Sequence, residues 1–295
     1  MNIIGLCLRN NKTSLSTIDA NDKRVYIKDI SVYRESLIPY ILSEKVDKVS
    51  DALSKIKKKR DTHLYITYPS FLGHNDCFLD ENVSDQELAG DGLRQFLFSK
   101  FTGENPDDYY ADASLIQRTS NGLFVSANYL DKKIANVIFE AAINAGFQFV
   151  ECEPEAVAVL RITGFNGWGD KPCCLIEVDD ESTVFTCYDP SKGMFSLPVS
   201  GLGKEDILND NGIDIFTRHM TIADINFYKS FGISDASIVF ISDYQRELMR
   251  GLTGLKNRFN VFDLPAQVIS KFSNNTHITH VGIALKPLAE RINNL

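Results

Sequence analysis

The feature that most constrains the fold is a pattern of three short strands near the start of each half of the chain. Polar turns separate apolar-rich runs that predict strands at residues 3–8, 14–18 and 25–30, and again at 173–178, 183–188 and 194–199. When Leu8 is aligned with Val178, the first two strands and their turn fall onto the second copy without a gap, at an offset of 170 residues. Self-similarity of this kind indicates that both halves begin with the same supersecondary unit. Chance similarity between two hairpins is the alternative that the sequence leaves open.

Helix and strand patterns follow each group of strands, which is typical of an α/β lobe. In the first half they predict helices at 44–59, 131–146 and 155–162 and strands at 64–67, 123–127 and 147–150. In the second half they predict helices at 204–219, 222–230, 244–257 and 281–292 and strands at 237–241 and 261–264. We expect residues 123–150 to form a βαβ unit. The sequence therefore predicts a first lobe over residues 1–165, a second lobe over 170–280 and a C-terminal helix over 281–295.

A segment of different character, at about residues 71–118, interrupts the first lobe. Ser84 and Glu87 form a capping box that predicts a helix, and an acidic loop follows. We interpret this segment as an inserted subdomain. The segment has more aromatic residues than so short a stretch needs for its own core, so some of them are candidates to contact a partner. The alternative is that they pack within the insertion. The candidates are Phe71, Phe78, Phe96, Phe98 and Phe101.

Composition and charge exclude several classes of protein. The chain has 31 basic and 39 acidic residues and a net charge of -8, so general binding to nucleic acid would need a concentrated basic patch. The basic run at 55–60 follows a helical pattern and is interpreted as a solvated helix end, where cations are favoured. The six cysteines show no CxxC spacing, which favours buried, reduced thiols. The five histidines are interpreted as solvated, and no metal site is expected.

The sequence shows no targeting segment or membrane span. Residues 1–8 lead directly into a strand pattern, without the charged and apolar regions of a signal peptide. No apolar stretch reaches the roughly 18–20 residues that a spanning helix requires. We therefore expect a soluble, cytoplasmic protein.

Several motifs resemble those of one bacterial family. The run LIEVDDEST at 175–183 resembles the second phosphate loop of actin-like bacterial proteins, above all the type IV pilus protein PilM and the division protein FtsA. Segments at 145–147 with 153–158, at 201–204 and at 280–286 resemble further family motifs, in the family's order. The resemblance implies an actin-like (ribonuclease H-like), two-lobed α/β fold with an inserted subdomain in the first lobe. It also implies a reduced second lobe, since only about thirty residues lie between Gly203 and Ser237, where the family has a whole subdomain.

The chain departs from the family where the family binds nucleotide. A phosphate loop needs glycine because the backbone must approach the phosphate closely. Arg9 stands in place of the first glycine, and acidic residues stand in the second loop, where they would repel a polyphosphate unless Mg²⁺ intervenes. The residues of this degenerate cleft are Arg9, Asn11, Glu177, Asp179, Asp180, Glu181 and Asp243. We therefore expect no nucleotide cofactor and no catalytic residue.

Arg9 and Asp179 occupy equivalent positions in the two hairpins. We hypothesise that they pair across the cleft and fill the space where phosphate would lie. Two separately solvated loop residues are the alternative.

The resemblance implies a non-catalytic scaffold of a type IV pilus or type II secretion platform, cytoplasmic and peripheral to the bacterial inner membrane. In the PilM family a groove between the first lobe and the insertion receives the tail of an inner-membrane pilus protein, and we expect a second surface to meet the motor ATPase. Relatives of the GspL type carry such a domain ahead of a membrane helix, so an anchor beyond Leu295 is an open alternative to attachment through partners.

Two enzymatic alternatives belong to different classes. An active actin-like ATPase would bind Mg-ATP and polymerise or change its lobe angle with nucleotide. A sugar-kinase-like enzyme would need a catalytic aspartate near a glycine-rich turn, for which Asp206 is the only candidate.

Overall fold

The computed structural model describes residues 1–10, 12–33, 35–69, 72–79, 92, 95, 105–119, 122–167, 172–178, 182–189, 193–209, 211–231, 237–242, 248, 260–261, 264–270 and 278–293. The strands are β1 (Asn2–Leu8), β2 (Thr13–Ala20), β3 (Val25–Tyr33), β4 (Thr62–Tyr68), β5 (His74–Leu79), β6 (Tyr109–Thr119), β7 (Gly122–Asp131), β8 (Phe149–Pro154), β9 (Cys173–Val178), β10 (Ser182–Asp189), β11 (Gly193–Ser200), β12 (Ser237–Ser242), β13 (Asn260–Val261) and β14 (Val268–Ser270). The helices are α1 (Ile38–Leu42), α2 (Val46–Ser54), α3 (Lys132–Asn144), α4 (Glu155–Phe165), α5 (Lys204–Leu208), α6 (Gly212–Phe231) and α7 (Ile278–Asn293).

Two of the sheets repeat one topology. The first has the order β14-β3-β2-β1-β4-β8 and the second has the order β11-β10-β9-β12-β13, which is the same arrangement without β14. The register repeats as well, because Leu8 pairs with Thr13 and Val178 pairs with Thr183, at the predicted offset of 170 residues. In each sheet the first strand of the unit also pairs in parallel with the strand that follows the meander. The predicted duplication is therefore confirmed at the level of strand pairing.

The first sheet has a core on each of its faces, which explains the nearly continuous apolar sequence of its central strand β1. Successive side chains of β1 point to opposite faces, so Ile4 and Leu6 pack with α1, α2 and α3, whereas Ile3 packs with α4 and α7. The second of these cores also includes Leu175 of β9 and therefore joins the two sheets.

The C-terminal helix belongs with the first sheet. Helix α7 contacts β1, β2, β3 and β4 and packs along α4. Gly282 permits this contact, because a Cβ at that position would lie 1.9 Å from the carbonyl oxygen of Ala158. Strand β14 lies within the range assigned from sequence to the second lobe, yet it extends the first sheet beside β3.

The prediction of a βαβ unit over 123–150 is wrong. Strand β7 is the central strand of a separate three-stranded sheet, in the order β5-β7-β6. This sheet continues to Asp131, past the predicted end of the insertion at residue 118, and it contacts β11 of the second sheet. Alternating apolar residues indicate a strand but not the sheet that it joins, which is why the pattern at 123–127 was misassigned.

Helix boundaries in the second half also differ from the prediction. The break lies between α5 and α6, at residues 209–211, and not at residues 220–221. Gly212 is required there, because a Cβ would lie 1.6 Å from the carbonyl oxygen of Asp206. The helices predicted after Ser84 and at 244–257 lie outside the described residues, apart from isolated positions. None of the described helices is both long enough and apolar enough to cross a membrane.

Candidate functional site

Four separate elements converge on the side chain of Arg9. Arg9 lies in the turn between β1 and β2, Glu155 begins α4, Glu177 lies in β9 and Thr279 is the second residue of α7. The Arg9 side chain donates to Glu155 Oε1 from Nε at 3.0 Å and from Nη2 at 2.6 Å. The same Nη2 lies 2.6 Å from Glu177 Oε1. We call these four residues the Arg9 cluster. They connect the first sheet, the second sheet and the two helices between them.

Local structure holds each member in place. The Arg9 amide donates to the Lys12 carbonyl at 2.9 Å, and the Ser36 hydroxyl donates to the Arg9 carbonyl at 2.6 Å. Pro154 precedes α4, so the Glu155 carboxylate stands in the first turn of a helix, where negative charge is favoured. Thr279 Oγ1 lies 2.8 Å from Glu155 Oε1 and 3.1 Å from Glu177 Oε1.

The Arg9 cluster is largely shielded from water. The side chains of Arg9, Glu155 and Glu177 are 11%, 16% and 14% exposed. Because a charge removed from water must be paired, the guanidinium of Arg9, which contacts both carboxylates, helps to make them tolerable here. Cys7 completes the surroundings, with Sγ 3.5 Å from Glu155 Oε1. Burial and the Glu155 carboxylate raise the pKa of the Cys7 thiol far above its ordinary value, so it stays neutral and is a poor nucleophile.

The structure brings together two of the predicted cleft residues. Arg9 and Glu177 contact each other across the two sheets, a pair that the sequence analysis did not predict. Asn11, Asp179, Asp180, Glu181 and Asp243 lie outside the described residues, and a contact between Arg9 and Asp179 stays a prediction. Among the partner candidates, Phe78 lies in β5, paired with Phe124 of β7. Phe71, Phe96, Phe98 and Phe101 lie outside the described residues.

Sequence reasoning missed Glu155 and Thr279. Both stand at the first positions of helices within or directly before segments that resemble family motifs. The signal was present for Glu155, since an acidic residue after proline at a helix start is well placed to act at the helix terminus.

His280 corrects the prediction that the histidines are solvated. It is 0% exposed, and its ring nitrogens lie 2.8 Å from Ser14 Oγ and 2.9 Å from Ser16 Oγ. Gly5 makes room for this arrangement, because a Cβ there would lie 2.5 Å from Ser16 Oγ. His280 therefore fastens the start of α7 to β2.

A second ionic group stabilises the same pair of helices. Arg161 of α4 forms two hydrogen bonds with Glu153, at 2.9 and 2.6 Å, and donates to the Gly282 carbonyl at 2.8 Å. Lys286 of α7 lies 2.7 Å from Glu151. Burial alone would lower the pKa of Lys286, but Glu153 and Glu151 outweigh it and raise that pKa.

Other groups that the sequence analysis considered make contacts within the fold. Within them, no group of three or more His, Cys, Asp or Glu side chains is placed to hold a metal ion. Asp206, the candidate kinase aspartate, accepts the Gly203 amide at 2.8 Å and so caps α5. Cys7, Cys173, Cys174 and Cys187 are buried free thiols, as predicted.

Comparison with known proteins supports the fold. No family model matches the chain, and no curated protein matches its sequence. Solved structures with a similar fold include the PilM–PilN type IV pilus biogenesis complex, with a TM-score of 0.68, 12% identity and coverage of 98% of this chain and 99% of that chain. They also include the cytoplasmic domain of EpsL, an inner-membrane component of the type II secretion system of Vibrio cholerae, with a TM-score of 0.53, 6% identity and coverage of 98% and 95%. A third is a Bacteroides thetaiotaomicron protein of unknown function with an actin-like ATPase fold, with a TM-score of 0.50, 12% identity and coverage of 96% and 95%. The chain therefore has the actin-like fold that the resemblance implied.

Proposed function

We propose that this actin-fold chain is a non-catalytic scaffold in the inner-membrane assembly platform of a type IV pilus or type II secretion system, at the cytoplasmic face. The observation that carries the proposal is the Arg9 cluster. The family resemblance puts nucleotide phosphates at the turns after β1 and β9, and Arg9, in the first of these turns, reaches Glu177 of β9 at 2.6 Å. An ion pair between the two sheets therefore takes the role that a bound nucleotide would have.

Electrostatics disfavour the entry of a nucleotide. A polyphosphate would have to draw Arg9 away from two carboxylates and then lie beside Glu155 and Glu177, which are mostly removed from water. Repulsion between like charges is strong where solvent screening is weak. The protein is accordingly a pseudo-ATPase that needs no cofactor, and its lobes are held together by its own side chains.

The partners follow from the fold neighbours. PilM was solved with PilN, and EpsL is an inner-membrane component, so we propose that the chain binds the cytoplasmic tail of an inner-membrane pilus or secretion protein. The proposed groove lies between the first lobe and the insertion, and its candidate residues are Phe71, Phe78, Phe96, Phe98 and Phe101. Another surface would meet the motor ATPase. Attachment to the membrane would come through these partners or through a C-terminal anchor.

Co-elution of the chain with the cytoplasmic tail of a PilN-class protein from the same organism tests the proposal. We expect a complex on size-exclusion chromatography that Phe78→Asp weakens by at least about tenfold, because hot-spot aromatics dominate peptide binding. Ile143→Asp is the matched control, since Ile143 is 64% exposed on α3, outside the insertion. Failure of the wild-type chain to bind, or equal loss with both variants, would contradict the proposed groove.

The second candidate is an active ATP-binding protein of the same fold. Arg9 favours it in one respect, since a guanidinium is also a good ligand for phosphate. This function predicts Mg-ATP binding and polymerisation that depends on protein concentration. Sedimentation with and without Mg-ATP distinguishes the two candidates, because only the ATPase would form pelletable polymers with nucleotide.

A further inference from the structure

An open pocket of about 270 Å³ lies at the end of the first sheet where β1 begins. Its lining includes Lys28 of β3 and three consecutive lysines, Lys57, Lys58 and Lys59, from the segment between α2 and β4. Among the described residues, Asp19 is the one acidic side chain in the lining. A surplus of positive charge is therefore concentrated at one pocket, in a chain whose net charge is -8.

The lysines are arranged by contacts that leave most of this charge uncompensated. Lys28 forms an ion pair with Asp19. The ammonium group of Lys58 lies 4.5 Å from the centre of the Phe147 ring, and that of Lys59 lies 3.2 Å from the Asn2 amide oxygen. Both of these partners are neutral. Lys57 is exposed, and the described part of the chain offers it no carboxylate within ion-pair distance.

The structure agrees with the interpretation of residues 55–60 as a solvated helix end, since most of these residues are exposed and follow α2 directly. Helix α2 ends at Ser54, so Lys57, Lys58 and Lys59 stand beyond the helix in a segment that closes one side of the pocket. The ring of Phe147 and the amide of Asn2 orient two of the ammonium groups at the wall of the pocket. Because these side chains are already ordered, they lose less conformational entropy when an anion binds.

We propose that this lysine pocket binds a phosphate group, presented either by a small phosphorylated molecule or by a phospholipid headgroup. Four lysines that line one volume suit a multivalent oxyanion, which can accept charge-assisted hydrogen bonds from several of them. The volume lies just below the usual range of about 300–1,000 Å³ for sites of drug-sized ligands, and it therefore suits a small group. The hydroxyl of Thr17 adds a neutral hydrogen-bonding group to the lining, whereas the Thr62 hydroxyl donates to the Lys59 carbonyl at 2.9 Å and fixes the backbone of that lysine.

The pocket is separate from the Arg9 cluster. Asn2 and Leu8 are the first and last residues of β1, and Arg9 follows directly, so the two sites stand at opposite ends of this strand. A strand of this length spans about 20 Å. The proposal therefore does not depend on the scaffold function, and either can fail while the other holds.

Calorimetric titration of the full chain with inorganic pyrophosphate, and co-sedimentation with phosphatidylglycerol vesicles, test the proposal. The pocket variant is Lys57→Glu with Lys59→Glu. The matched control is Lys48→Glu with Lys55→Glu, which makes the same change of charge at exposed lysines outside the lining. We expect the pocket variant to weaken binding by about tenfold or more and the control to weaken it much less, because direct contacts exceed screened long-range attraction.

The two ligands identify the source of the phosphate group. Binding of pyrophosphate that is lost in the pocket variant assigns a small phosphorylated ligand. Binding only to phosphatidylglycerol vesicles, lost in the same variant and absent with phosphatidylcholine vesicles, assigns a lipid headgroup. Absence of binding to both, or equal loss in the pocket variant and the control, would overturn the proposal. Unchanged unfolding midpoints of both variants verify that each is folded.

Discussion

Arg9 shows how one residue at a turn changes what a cleft can contain. In the motif that the chain resembles, glycine at this turn leaves space for a phosphate. Here a long cationic side chain enters that region and is held by Glu155 and Glu177. Because both carboxylates contact this guanidinium, its positive charge contributes to the stability of the protein.

We predict that Arg9→Ala lowers the free energy of unfolding by about 3–5 kcal/mol, because it removes the cation that contacts two mostly buried carboxylates. Urea denaturation measures the change. Arg291→Ala is the control: it removes the exposed pair with Asp22, and such pairs contribute less than about 1 kcal/mol. Equal losses for the two variants would show that the Arg9 cluster does not hold the lobes together.

A second prediction concerns the buried thiol of Cys173. Burial, with a smaller contribution from Cys174, raises its pKa from 9.0 to about 12 in the folded protein. A raised pKa means that the thiol stabilises the fold fully below pH 9 and that this stability is lost as the pH rises toward 12. Above pH 9, the free energy of unfolding of the wild-type protein should therefore fall with pH more steeply than that of Cys173→Ala, by up to about 1.4 kcal/mol per pH unit. Urea denaturation at several pH values measures both slopes. If the free energies of unfolding of the two proteins had the same pH dependence, the raised pKa of Cys173 would be contradicted.

At the scale of elements, the contact between α4 and α7 positions the C-terminal helix in the first lobe. Gly282 lets the two backbones approach, and the bonds from Arg161 to Glu153 and to the Gly282 carbonyl secure the contact. The same helices supply Glu155 and Thr279 to the Arg9 cluster. Their packing therefore positions half of that cluster.

We predict that Gly282→Ala destabilises the protein by about 1–3 kcal/mol or more, because the added methyl meets the Ala158 backbone and the helices must separate. Gly164→Ala in α4 is the control. A Cβ at Gly164 meets no atom within 4 Å, so the change should stabilise the helix by up to about 1 kcal/mol. Thermal unfolding compares the midpoints of the two variants. If Gly282→Ala left the midpoint unchanged, the close packing of α4 and α7 would be contradicted.

Much of the element order could be predicted because local patterns determine it. The offset of 170 residues between Leu8 and Val178 correctly gave the register of both hairpins, since connections of equal length favour the same pairing. The sheet that β7 joins could not be predicted, because periodicity does not encode long-range partners. The break before Gly212 could have been found, since Asn209, Asn211 and Gly212 favour a turn.

The candidate site was predictable only in part, for the same reason. Arg9 and Glu177 were singled out because they interrupt recognisable loops. Glu155 and Thr279 reach the site through helix packing. The local sequence indicates an acidic residue at the start of a helix for Glu155, but it does not indicate the residues that the helix start will contact. His280 was misjudged because its burial depends on Ser14, Ser16 and the space left by Gly5, all distant in sequence.

At the scale of the whole molecule, two sheets of one topology are joined through a shared core, the α4–α7 crossing and the Arg9 cluster. The three-stranded insertion sheet adds a further contact at β11. In an actin-like fold these connections decide how freely the lobes move. A cleft that is closed by an internal ion pair would couple the lobes without nucleotide, which suits a protein that assembles others.

The unfolding midpoint of the purified chain with and without millimolar Mg-ATP tests this account most directly. A ligand at 100 times its dissociation constant adds about 2.7 kcal/mol, which would raise the midpoint by roughly 2 °C or more for a chain of this size. We predict no change in the midpoint and no binding heat on calorimetric titration, because Arg9 stays with Glu155 and Glu177. A rise of that size together with a stoichiometric heat would contradict the scaffold function and favour an ATP-binding actin-like protein.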